Sequence, residues 1–143
     1  MKMTLYLSLR QLISPIGEYV LDREFMISRQ EEPKSDRPVL EGNTILLPFY
    51  FDFREVVGRP HAKISPLDDT SAQYTHLVEV ERSFLVSGPD RRYQPLHRND
   101  QIKLSIPEGK RASDIILIGE LFSLRLTKEP TYEAYWADFK PKK

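Results

Sequence analysis

The chain has 143 residues, 40% hydrophobic and 29% charged, with 21 basic residues against 21 acidic ones. That length and balance fit one soluble domain with a core of its own and exclude disorder of the whole chain. Charge neutrality gives no basic excess of the kind that draws nucleic acid.

Cysteine is absent, which removes disulfides, thiolate metal sites and cysteine nucleophiles together. Such a composition fits a reducing compartment, and a cytoplasmic protein is expected. The opening MKMTLYLSLRQLISPIG is too short in apolar residues for a secretory signal, and Arg10 interrupts it. No run approaches the roughly 18 apolar residues of a membrane helix, so no membrane partner is expected.

Along the chain the dominant period is two, the mark of half-buried strands. Leu5, Leu7 and Leu9 alternate with Tyr6, Ser8 and Arg10. Short extended pieces follow at Tyr19–Leu21, Phe25–Ile27, Thr44–Leu47, Ala62–Ser65 and His76–Val80. The series continues through Ser83–Val86, Gln101–Ile106, Ile115–Ile118 and Leu121–Thr127. Turn signals separate them: Ser14-Pro15, Gly42-Asn43, Gly58, Pro66, Gly88-Pro89, Asn99-Asp100 and Pro107–Gly109. Many short strands at such intervals predict an all-β antiparallel sandwich or barrel, and eleven prolines suit its loops. Glu31–Pro38 is strongly polar and reads as a mobile loop.

One segment departs from the pattern. Tyr132, Tyr135, Trp136 and Phe139 fall at i, i+3, i+4 and i+7 and predict one stripe of a short C-terminal helix. Thr131 would cap it, and Lys140, Lys142 and Lys143 would sit at its negative end. The predicted organisation is therefore a sandwich over residues 1–128 and an aromatic helix with a basic tail over 129–143. A helix of about ten residues is marginal alone in water. It is expected to pack on its own sandwich or to serve as a partner-binding element.

Five stretches, in order, resemble the forkhead-associated (FHA) domain family. Glu18–Asp22 followed by Phe25–Arg29 is similar to the family's opening strands, which end in Ile-Gly-Arg. Asn43–Pro48 resembles the next strand, and Val57-Gly58-Arg59-Pro60-His61-Ala62-Lys63-Ile64 resembles the Val-Ser-Arg-x-His-Ala-x-Ile motif. Phe84–Gly88 and Pro95–Leu104 resemble the later Thr-Phe-Val-Asn-Gly and Pro-Leu-x-x-Gly-Asp-x-Ile-x-Leu stretches. The resemblance spans about Tyr19 to Thr127. It implies a β-sandwich of about eleven strands whose loops at one end bind phosphothreonine peptides. Within it, Arg29 and Arg59 match basic ligand-binding positions, and His61 matches a histidine that braces the loop from inside.

A phosphate brings about −1.5 to −2 charges and three acceptor oxygens, so cationic donors on fixed loops are the required chemistry. The departures bear on the same site. Gly58 stands where the family carries a serine hydroxyl, Ser28 stands where it carries glycine, and the loop before Ser83 and Phe84 is shortened. The candidate binding set is therefore Arg29, Gly58, Arg59, Ser83 and Ser87, with His61 structural. If Arg29 and Arg59 share an anion site, Arg29→Ala is expected to abolish peptide or partner binding without lowering thermal stability.

No catalytic motif surrounds Ser83, Ser87 or Asp100, and Asp68-Asp69 reads as a solvated turn, so no enzyme is expected. His61, His76 and His97 lack metal-ligand spacing, and no metal or cofactor is expected. The resemblance thus implies a protein-interaction module of FHA type, an adaptor or scaffold. Its partner is another protein, met through a surface independent of phosphate or, alternatively, through a phosphorylated segment at Arg29 and Arg59. A single-stranded nucleic-acid-binding barrel using Arg91-Arg92, Lys110-Arg111 and Lys142-Lys143 is the competing class, and acidic neighbours such as Asp90 and Glu108 weigh against it.

Overall fold

In the computed structural model the chain runs through twelve strands among the residues described: β1 (Tyr6–Gln11), β2 (Ser14–Val20), β3 (Phe25–Arg29), β4 (Val39–Glu41), β5 (Thr44–Leu47), β6 (Ala62–Asp68), β7 (Ser71–His76), β8 (Phe84–Ser87), β9 (Arg92–Pro95), β10 (Gln101–Ser105), β11 (Ile115–Ile118) and β12 (Phe122–Thr127). The structure describes residues 5–128 apart from 12–13, 33–34, 50–56, 80–81, 89, 91 and 120. The predicted helix with Tyr132, Tyr135, Trp136 and Phe139, and the whole of 129–143, lies outside the described residues. No helix among those described is long and apolar enough to cross a membrane.

The strands form two six-stranded sheets, ordered β2-β1-β12-β11-β8-β9 and β10-β7-β6-β3-β5-β4. All pairings are antiparallel except β3 with β5, which run parallel because the chain detours through β4 between them. Alternation of side chains across each strand places Leu7, Leu9, Ile116, Ile118, Leu124 and Leu126 of the first sheet inward. They meet Phe25, Ile27, Ile45, Leu47, Ile64 and Tyr74 of the second in one buried core. Each such side chain contributes on the order of 1.5–3 kcal/mol through burial, which makes this layer the main source of stability.

The expected strands at Thr44–Leu47 and Ile115–Ile118 are found with those bounds. Others differ for identifiable reasons. Ser14-Pro15, expected as a turn, opens β2; proline is tolerated because β2 is an edge and the register shifts beside it. Pro66 lies within β6 at a second irregularity, so β6 runs on to Asp68 rather than ending at Ser65. The turn is compressed into Asp69-Thr70, with the Asp68 carboxylate accepting from the Thr70 N–H at 2.9 Å and the Ser71 hydroxyl at 2.8 Å. The strand expected at His76–Val80 is instead β7, which ends at His76. The fully exposed β9 and the three-residue β4 have no apolar alternation from which to read them.

The face of the first sheet turned away from the core is not the solvated polar face that alternation implies. Ser8, Arg10, Ser123, Arg125 and Thr127 are all buried. Arg125 donates through Nε and Nη2 to the Ser113 carbonyl at 3.0 and 2.7 Å, and the Ser8 and Thr127 hydroxyls meet at 3.0 Å. Burial raises the Glu18 carboxyl above its ordinary pKa, against a hydrogen bond from Ser8 that lowers it. The buried Arg125 charge persists because it is hydrogen-bonded.

Candidate functional site

The end of β3, the approach to β6 and the edge hairpin β4–β5 converge on a cleft of about 330 Å³. Arg29, Gln30, Glu31, Val39, Glu41, Leu46 and Arg59 line it. The two arginines singled out by sequence, thirty positions apart, thus come to one place. Arg29 is carried there by β3, whose parallel pairing with β5 sets Arg29 beside Leu47.

The two arginines are held very differently. Arg29 donates from Nε to the Val57 carbonyl at 3.0 Å and from Nη1 to the Gln30 carbonyl at 3.2 Å. Its guanidinium also lies 5.3 Å from the centroid of the Phe49 ring, a cation–π contact. Arg29 therefore ties β3 to the chain before Gly58, and the sequence-based expectation that Arg29→Ala spares stability does not survive this geometry. Arg59 is exposed and forms an ion pair, Nη2 to Glu31 Oε1 at 2.8 Å.

Gln30, which the sequence did not single out, shapes the wall between them. Its side chain is buried, Nε2 donates to the Arg37 and Leu46 carbonyls at 3.0 and 3.4 Å, and Oε1 accepts from the Ser35 N–H at 3.1 Å. One amide thereby joins Ser35 and Arg37, within the stretch expected as a mobile loop, to β5. A glutamine beside a candidate arginine was the only signal available for this role, and it is a weak one.

Behind the cleft lies a buried polar group centred on His61. The Gly58 N–H donates to His61 Nδ1 at 2.8 Å. Nδ1 is thus the unprotonated nitrogen, so Nε2 carries the proton and donates to Ser83 Oγ at 3.2 Å. The His76 ring packs edge-on at 4.9 Å between centroids, and His76 Nδ1 meets the Tyr74 hydroxyl at 3.1 Å. Burial, aided by His76, lowers the His61 pKa to about 3, so the ring is neutral at physiological pH. His61 links the Gly58-Arg59 corner to Ser83 just before β8, and its chemistry is that of a brace.

The remaining candidates divide accordingly. Gly58 is buried behind the cleft and does not line it. A Cβ there would lie 2.8 Å from Val78 Cγ1 and 3.0 Å from Val78 Cβ, closer than real side chains come. The absence of a hydroxyl at this position thus has a local cause, since Val78 fills the space. Ser83 is buried against His61, and Ser87 is half-buried at the far end of β8; neither lines the cleft. Leu46, which does, lies on the expected strand β5, and Val39 and Glu41 lie on its partner β4, which alternation could not reveal.

No family model, curated protein or solved structure matches this chain.

Proposed function

We propose that this chain is a protein-recognition module of the FHA type, an adaptor or scaffold that takes a segment of a partner protein in the cleft between Arg29 and Arg59. The observation that carries the reading is the convergence of these two arginines on one cleft backed by the His61 brace. The five stretches resembling FHA motifs fall, in order, on β2–β3, β5, the corner leading into β6, β8, and the turn leading into β10. A cleft lined by two arginines, two glutamates and the apolar side chains of Val39 and Leu46 suits a peptide segment.

The geometry favours a partner with an acidic or phosphorylated group over a phosphate-blind contact. Arg59 lines the cleft with its side chain partly exposed and paired with Glu31, while Arg29 is anchored by backbone carbonyls. With the Gly58 N–H and the Ser83 hydroxyl both engaged by His61, those two side chains supply the candidate cationic donors. The nucleic-acid alternative gains nothing from Arg92, whose Nε is paired with Asp90 at 3.0 Å.

The test is a titration with a degenerate phosphothreonine peptide library beside its unphosphorylated twin, using Arg59→Ala as the diagnostic variant. Binding that Arg59→Ala weakens at least about tenfold supports the cleft, since a charge-assisted contact is worth roughly 1.5–3 kcal/mol. Binding that is indifferent to Arg59→Ala moves the partner surface elsewhere.

A further inference from the structure

The cleft already holds an anion. Glu31 Oε1 stands 2.8 Å from Arg59 Nη2, within the same lining, so a carboxylate oxygen of the chain itself sits at the exposed arginine. Its neighbour Gln30 is fixed by its side-chain amide, which bonds Ser35 and Arg37 further along the chain and the Leu46 carbonyl of β5. Glu41, also lining the cleft, lies on β4.

We infer that Glu31 is an internal competitor for the ligand position on Arg59, and that the partner group bound there is an anion, a carboxylate or phosphate oxygen that displaces the Glu31 carboxylate. This rests on the cleft being the partner site, and it adds the chemistry of the ligand and the device that restrains it. The ion pair is exposed on both sides, with 41% of the Arg59 side chain and 71% of the Glu31 side chain accessible. Exposed pairs of this kind are weak and easily screened, so Glu31 acts as a light latch that an incoming anion opens. Competition for one cation lowers the apparent affinity of every anionic ligand and leaves neutral ones untouched.

Three degenerate peptide libraries provide the test, differing only in a central phosphothreonine, glutamate or threonine and titrated at low salt. Glu31→Gln is expected to strengthen binding of the phosphothreonine and glutamate libraries by about two- to five-fold, the range of an exposed ion pair. The threonine library should not respond. In an Arg59→Ala background the gain from Glu31→Gln should vanish, because the competition has lost its object. Glu41→Gln removes the same charge from the same cleft without touching the pair, and its effect should be smaller.

No gain from Glu31→Gln, a gain that persists without Arg59, or an equal gain from Glu41→Gln would each overturn the latch. Those results leave the cleft reading standing wherever Arg59→Ala still weakens binding. If Arg59→Ala leaves all three titrations unchanged, or no library binds the wild-type chain or Glu31→Gln, the cleft reading itself fails and the latch with it. The stronger of the two anionic libraries identifies whether phosphate or carboxylate is the group received.

Discussion

Arg59 and His61 are two residues apart, and they occupy opposite environments. Arg59 reaches into an open cleft and exchanges contacts with the exposed Glu31. His61 is sealed between Gly58, Ser83 and the His76 ring, stripped of solvent and held neutral. The pair shows how a short motif divides its labour. Buried groups are expensive to misplace and therefore hold geometry, whereas an exposed charge is cheap to move and therefore free to meet a ligand. Arg29 stands between the two, charged and lining the cleft, yet fastened by carbonyls and an aromatic ring.

The contrast is sharpest in stability. His61→Ala should be the most damaging of these changes, costing about 3 kcal/mol, because it leaves the buried Gly58 N–H and the Ser83 hydroxyl without their partner and opens a cavity. Chemical denaturation checks this, and a loss under about 1 kcal/mol would make the histidine ornamental rather than a brace.

Acid should strain the same place. Above the ordinary histidine pKa, His61 is neutral whether folded or unfolded and contributes nothing to the pH dependence. Between about 6.5 and about 3 the unfolded chain takes up a proton that the folded ring refuses, so folded stability falls as pH falls. From pH 7 to pH 5 the loss from this ring is up to about 2 kcal/mol, at about 1.4 kcal/mol per unit below the unfolded pKa. His76, also lowered chiefly by burial, acts in the same direction. Denaturation series at the two pH values, compared with His61→Ala, isolate the contribution. A difference between wild type and variant that does not change with pH would contradict it.

Gly58→Ala tests the packing behind the cleft, where the added Cβ must push Val78 aside. A cost of about 1–3 kcal/mol is expected from overpacking. The smallest effects separate the arginines. Arg29→Ala should lower stability by about 1–2 kcal/mol through its lost carbonyl and ring contacts, and Arg59→Ala by less than about 0.5 kcal/mol. Equal melting temperatures for the two variants would erase the distinction drawn here.

Much of the sandwich was legible because its core strands alternate cleanly: Leu5, Leu7 and Leu9, and Phe122, Leu124 and Leu126, are found buried as that pattern implies. What escaped was set by edges and by tertiary cover. β4 and β9 lie at or beside solvent with no apolar face, and Ser123 and Arg125 look solvated in sequence while being buried in the fold. In the site, Arg29 and Arg59 could be named because charged residues in a motif stand out. Their unequal roles could not, since those depend on which carbonyls lie within reach of a guanidinium. Ser83 lies against His61 rather than on the cleft, and the sequence does not say which way a hydroxyl turns.

The contact between Gly58 and Val78 also orders the changes open to this protein over time. A hydroxyl-bearing residue at 58 meets the valine before it meets any ligand, so it is harmful when it arrives first. Shrinking residue 78 beforehand removes that obstacle at the cost of a partly filled space. A hydroxyl at 58 therefore becomes compatible with this packing only after a change at 78 that gains nothing on its own.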